Sequence, residues 1–201
     1  MRILHLRQSR KMYGPEKTIL GFCRALANTG HYCEIALIYR GFAGDSDHHP
    51  LVDLAGAQGT PYEEIDGAPS HLPTLIAHLR RRLRDEAFDV LHTHDYKADL
   101  MGLLATRGLH PRPALVSTPR HSESESLLAA LQWVDRQFPH HFDRITESSE
   151  ASVDKLRESP KLREKVRLVG TAATPASSGR PSLCRIGPPD RWSAWWAGFS
   201  R

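Results

Sequence analysis

No apolar run in this chain approaches the length needed to cross a bilayer, which removes membrane-spanning proteins from consideration. The N-terminal run Arg2 to Leu6 is too short and too interrupted by charge for a secretory leader, so any membrane contact is expected to be peripheral. Cysteine is scarce. Cys23, Cys33 and Cys184 are odd in number and form no Cys-x-x-Cys pair, which argues against a disulfide scaffold and for reduced thiols in a cytoplasm. Neither Gly-x-Gly-x-x-Gly nor Gly-Lys-Ser/Thr occurs, so the strongest phosphate-loop signals are missing. The basic residues lack interleaved aromatics and a recognisable module, which argues against a nucleic-acid partner. A dominant charge is also lacking: 27 Lys and Arg against 23 Asp and Glu leave a formal net charge of +4. Arg80, Arg81, Arg82 and Arg84 carry much of that excess in one helical run, read as a solvated face or, alternatively, a surface for an anionic partner.

What is present is an ordinary globular composition, 40% hydrophobic and 25% charged, in which apolar runs alternate with amphipathic segments. Strands are predicted at 2–6, 34–39, 60–65, 89–93, 114–118, 143–146 and 165–169. Helices are predicted at 15–29, stopped by Gly30, and at 70–86, 97–107, 124–137 and 149–158, with 41–50 a polar loop. Strand–helix repetition of this kind implies an α/β fold, a Rossmann-like parallel sheet with helices on both faces. The predicted domain covers 1–170. Residues 171–201 form an irregular tail, and Trp192, Trp195 and Trp196 crowd its end.

In such a sheet ligands bind where strands end and helices begin, because helix N-termini bring N–H groups and partial positive charge to that edge. The first strand opens into Arg7, Arg10, Lys11, Tyr13, Gly14, Pro15, Glu16 and Lys17. The fourth opens into His94, Asp95 and Lys97, and the fifth into Arg120 and His121. Together these cations and hydrogen-bond donors favour an anionic or polyhydroxyl ligand. Gly14 matters because a backbone without a side chain can approach a phosphate or sugar closely.

The succession of a Gly14-Pro15-Glu16 loop, Asp89-Val90-Leu91-His92-Thr93-His94, Leu115-Val116-Ser117-Thr118-Pro119-Arg120-His121, Phe142 to Glu150 and Lys165 to Val169 resembles the N-terminal domain of a family 4, GT-B-type glycosyltransferase. The resemblance implies half of a GT-B fold, two Rossmann-like domains facing across a cleft, the first holding mainly the acceptor and the second the nucleotide sugar. It implies glycosyl transfer with retention, a nucleotide sugar as co-substrate, no obligatory metal and no other cofactor. The acceptor would be a glycan or a lipid-linked sugar, met in the cytoplasm or at the inner face of the membrane. His94 and His121 are the implied catalytic residues: His94 lines the acceptor pocket, and His121, or Arg120 in a register one residue earlier, contacts the transferred sugar. Tyr13, Gly14, Pro15, Glu16 and Lys17 match the turn near the donor phosphates, with Tyr13 in place of the family's first glycine. Arg7, Asp95 and Lys97 complete the expected substrate-binding set. Charge stabilisation of the departing diphosphate suits Arg7, Arg10, Lys11 and Lys17.

Two departures accompany the resemblance. The family's Pro-Asn-Gly turn is replaced by Gly170 to Pro175, and too few residues follow to build a second domain. The chain alone is therefore expected to be truncated and inactive. A shifted reading frame through Trp195 to Gly198 would restore a Val-Gly run like the one that opens the family's second domain, so the tail reads as a frameshifted remnant. Two other classes stay open. His92 and His94 on one strand face, beside Asp95, could be metal ligands of a hydrolase, with His121, His140 and His141 as further candidates. The chain could also be a non-catalytic module that binds a ligand or partner.

Overall fold

The computed structural model describes residues 1–39, 48–119 and 138–169. The strands are β1 (Arg2–Gln8), β2 (Tyr32–Tyr39), β3 (Tyr62–Asp66), β4 (Val90–Thr93), β5 (Ala114–Ser117), β6 (Arg144–Glu147) and β7 (Val166–Leu168). The helices are α1 (Gly14–Ala27), α2 (Pro50–Ala57), α3 (Leu72–Asp85), α4 (Tyr96–Thr106) and α5 (Glu150–Arg157). All seven strands run parallel in the order β3-β2-β1-β4-β5-β6-β7, a Rossmann-like α/β sheet. The strand order reverses between β1 and β4, and a crevice opens at such a switch point.

Alternation along the strands divides the core between the two faces. Leu4, Leu6 and Leu91 pack with Leu75, Leu79 and Leu83 of α3, Met101 of α4 and Val153 of α5. Ile3, Val90, Ile35 and Leu37 pack on the other face against Ile19 and Leu20 of α1 and Leu51 of α2. Leu75, Leu79 and Leu83 recur every four residues, the helical spacing that turns one stripe of α3 inward. Gly102 lets α4 approach β4 closely, since a Cβ there would stand 2.9 Å from Thr93 Cγ2. Asp99 completes that seam by accepting hydrogen bonds from the hydroxyls of Thr93 and Ser117. Gly30 ends α1's terminal turn at φ +80, a conformation that suits glycine.

Two expectations change. The eight-residue α2 was not anticipated: its first turn is capped by His49 Nδ1, which accepts from the Leu51 N–H at 3.0 Å, rather than by a hydroxyl or carboxylate. The arginine run is not uniformly solvated either. Arg82 turns inward to Glu34 at 2.8 Å, Glu63 at 2.7 Å and Glu86 at 2.6 Å, because it follows the buried stripe of α3 by three residues. The predicted helix at 124–137 and the tail lie outside the described residues. Among the described residues no helix is long and apolar enough to cross a membrane.

Candidate functional site

The carboxyl end of β1 and the start of α1 are tied together by Arg7 and Glu16. Arg7 Nε donates to Glu16 Oε1 at 3.0 Å, while Glu16 Oε2 accepts from the Tyr13 N–H at 2.9 Å and so closes the helix's first turn. Glu16 is fully buried. Burial pushes its carboxyl up, but the Ser9 hydroxyl, the Arg7 charge and backbone N–H groups outweigh this and hold it below the ordinary carboxylate value. A second arm of Arg7 donates to the His94 carbonyl at 2.6 Å and stands 3.5 Å from Asp95. Asp95 caps α4: Oδ1 accepts from the N–H groups of Lys97 and Ala98, each at 2.9 Å, and Oδ2 from that of Gln8 at 2.8 Å. The reversal between β1 and β4 is thus fixed by a buried network in which one guanidinium and several backbone N–H groups serve two carboxylates. Tyr13, Gly14, Arg10, Lys11, Lys17 and Lys97 are exposed along the same edge.

Beside this network lies a cleft of about 230 Å³. Pro15, Thr18 and Phe22 of α1 form one wall, and His94, Thr118, Thr146 and Glu147 at the strand ends form the other. The start of α1 therefore points N–H groups and partial positive charge toward the cleft edge, and several hydroxyls face the space. Of the residues the sequence singled out, His94 and Pro15 reach the cleft. Arg7, Glu16 and Asp95 are buried and bound to one another. His121 and Arg120 lie outside the described residues.

Register brings a further imidazole into play. His5 on β1 pairs with His92 on β4, so His5, His92 and His94 stack on one face of the sheet, with ring centroids 4.1 to 5.2 Å apart. His5 Nδ1 and His94 Nε2 are 2.9 Å apart, and His92 Nε2 is 2.8 Å from Thr118 Oγ1. Burial, aided by the neighbouring His5, holds His92 well below the ordinary histidine value, so it is neutral at neutral pH. One ring nitrogen from each histidine falls within 4.8 Å of the others. His140 and His141, which a hydrolase centre could have drawn on, sit instead in the turn ahead of β6, at the opposite edge of the sheet from His94.

A second cavity, about 440 Å³, opens at that opposite edge. It is lined by Cys23, Arg24, Ala27 and Asn28 at the end of α1, Cys33 on β2, and residues 57–61 after α2. Both cysteines are free thiols and buried. Cys33 is drawn down to about 5 by a hydrogen bond from Cys23 and, against burial, by His5, while Cys23 is pushed up by the same sulfur contact and by burial.

A family model described as Glycosyltransferase Family 4 matches residues 12–174. No curated protein matches the chain. The chain is similar in fold to Anabaena HepE solved with UDP-glucose, at 18% identity, covering 86% of this chain and 44% of that one with a TM-score of 0.67. A glycosyltransferase from Rickettsia africae matches at 14% identity over 98% and 49%, TM-score 0.64. The UDP-GlcNAc 2-epimerase from Methanocaldococcus jannaschii matches at 15% identity over 86% and 46%, TM-score 0.60. The chain thus spans about half the length of the solved structures it matches, and its fold is shared by more than one chemistry.

Proposed function

Since the chain belongs to glycosyltransferase family 4, we propose that it forms the acceptor-holding half of an enzyme that transfers a glycosyl group from a nucleotide sugar with retention of configuration. The observation that carries this reading is the cleft at the carboxyl edge of β4 to β7, where His94 and the hydroxyls of Thr18, Thr118 and Thr146 face a space sized for a sugar ring. A polyhydroxyl ligand needs polar groups over a partly apolar floor, which Phe22 and Val169 supply here. The Thr18 hydroxyl donates to the Gly14 carbonyl and those of Thr118 and Thr146 pair with each other, so their oxygens serve as acceptors. The acceptor is a glycan or a lipid-linked sugar, presented at the inner face of a membrane in the second case. His94 contacts it, and His121, or Arg120 beside it, reaches the transferred sugar.

Tyr13, Gly14 and Pro15 approach the donor phosphates, and the exposed Lys17 and Lys97, with the N-terminus of α1, offset charge on the departing diphosphate. Arg7, Glu16 and Asp95 position these groups. No resident cofactor is required, the nucleotide sugar being co-substrate. Among the described residues no Gly-rich loop cradles a diphosphate, so the donor is assigned to a second Rossmann-like half.

The test uses UDP-glucose with octyl β-glucoside, and the full chain alone or joined to a family donor domain, the anomeric configuration of the product being read by NMR. The joined protein should transfer with retention while the chain alone does not turn over donor. Saturable glucoside binding with no transfer from any UDP-sugar tried would favour a binding module instead.

A further inference from the structure

The second cavity holds a cluster that glycosyl transfer does not use. Cys23 projects from α1 toward the sheet, Cys33 lies near the start of β2, and His5 sits one diagonal step away on β1, since Ile3 pairs with Cys33 and His5 with Ile35. Both sulfurs and one His5 nitrogen lie within 4.8 Å of one another. His5 Nδ1 is engaged by His94, whereas Nε2 is buried with no hydrogen-bond partner in a residue only 1% exposed. An imidazole nitrogen so placed has lost its water without replacement, and a ligand that accepts its lone pair removes that cost.

The geometry points to a binding site for a thiophilic divalent cation of the Zn²⁺ type, held by Cys23 Sγ, Cys33 Sγ and His5 Nε2. Tetrahedral Zn²⁺ with Zn–S of about 2.3 Å and Zn–N of about 2.0 Å needs donor atoms roughly 3.5–3.8 Å apart, inside the 4.8 Å that bounds the cluster. The fourth position faces the 440 Å³ cavity lined by both cysteines, which supplies an entry path and room for water. The carboxyl ends of α1 and α2 converge there, and helix C-termini favour a cation; Arg24 at the rim is the opposing charge. Loading at neutral pH forms two metal–thiolate bonds, breaks the one S–H bond, which Cys23 donates to the Cys33 sulfur in the empty site, and releases that proton to solvent. With Nε2 on the metal, Nδ1 of His5 must carry the ring proton and donate to His94 Nε2, so occupancy fixes the tautomer of a cleft residue.

The test is titration of the reduced full chain, carrying Cys184→Ser, with Co²⁺. One equivalent should produce a thiolate-to-cobalt charge-transfer band and tetrahedral visible bands, both displaced by Zn²⁺. Cys23→Ser or Cys33→Ser should abolish the charge-transfer band, His5→Gln should weaken binding at least tenfold, and His92→Asn should leave band and stoichiometry unchanged. A band that persists in both serine variants, or uptake that follows His92 instead, overturns the proposal. Should the variants fail to fold by circular dichroism, thiol labelling of the unvaried pair decides. One equivalent of Zn²⁺ must protect both sulfurs, and labelling at the metal-free rate refutes the site.

Discussion

The two cavities lie at opposite edges of one sheet, and the larger is not the one assigned to the sugar. The space at the amino edge is about 440 Å³ and that at the carboxyl edge about 230 Å³. Chain direction separates them where size does not. At the carboxyl edge helices begin, so N–H groups, exposed cations and hydroxyls gather; at the amino edge helices end, and two thiols line the space with the buried His5 imidazole behind them. His5 and His94 join the two through one hydrogen bond, so the edges are chemically distinct yet connected.

The largest way to break this contrast is Arg7→Met. It leaves the buried Glu16 without its cation and should destabilise the chain by about 3–5 kcal/mol, read as a lower urea midpoint. Next, filling the carboxyl-edge cleft with Thr146→Trp should weaken glucoside binding tenfold or more, about 1.4 kcal/mol, while Gln58→Trp at the other cavity should not. Equal losses in titration calorimetry would erase the distinction.

Stability should also follow pH. His92 is depressed below 6.5, so below that pH the unfolded chain takes up a proton that the folded chain refuses. Stability should therefore fall with pH from about 6.5, by up to roughly 1.4 kcal/mol per unit for this one proton. Glu16, also depressed, adds a further loss as pH falls below 4.5 toward its folded value. Urea midpoints for His92→Asn should show a shallower first slope, the remainder coming from His49, which burial also depresses, and should keep the second. The smallest effect is expected from Ser149→Ala, which removes the single-bond cap at the exposed start of α5 at about 1 kcal/mol, read in the same titration.

The strands and their alternation with helices were legible because buried β-rich runs such as Ile35 to Tyr39 carry their own signal. The helix α2 was not, since its cap is a histidine and Gly56 interrupts its short run. His94 could be marked from its place after β4. Thr118, Thr146 and Glu147 could not, because small polar residues at strand ends acquire meaning only from strand order. Arg7 illustrates the converse: as a sequence feature it is a cation at a ligand edge, yet folding commits it to Glu16, Asp95 and the His94 carbonyl. His5 gave no signal by itself, since its partners come from β4, α1 and β2.

The central claim is that sugar is held at the carboxyl edge. The most direct test is an NMR titration of the isotope-labelled full chain with octyl β-glucoside. Saturable shifts are predicted at Thr18, His94, Thr118, Thr146 and Glu147, weakened by His94→Gln, with Cys33, Gln58 and Thr60 unmoved. Shifts centred on those last three residues, or none at either edge, would contradict the account.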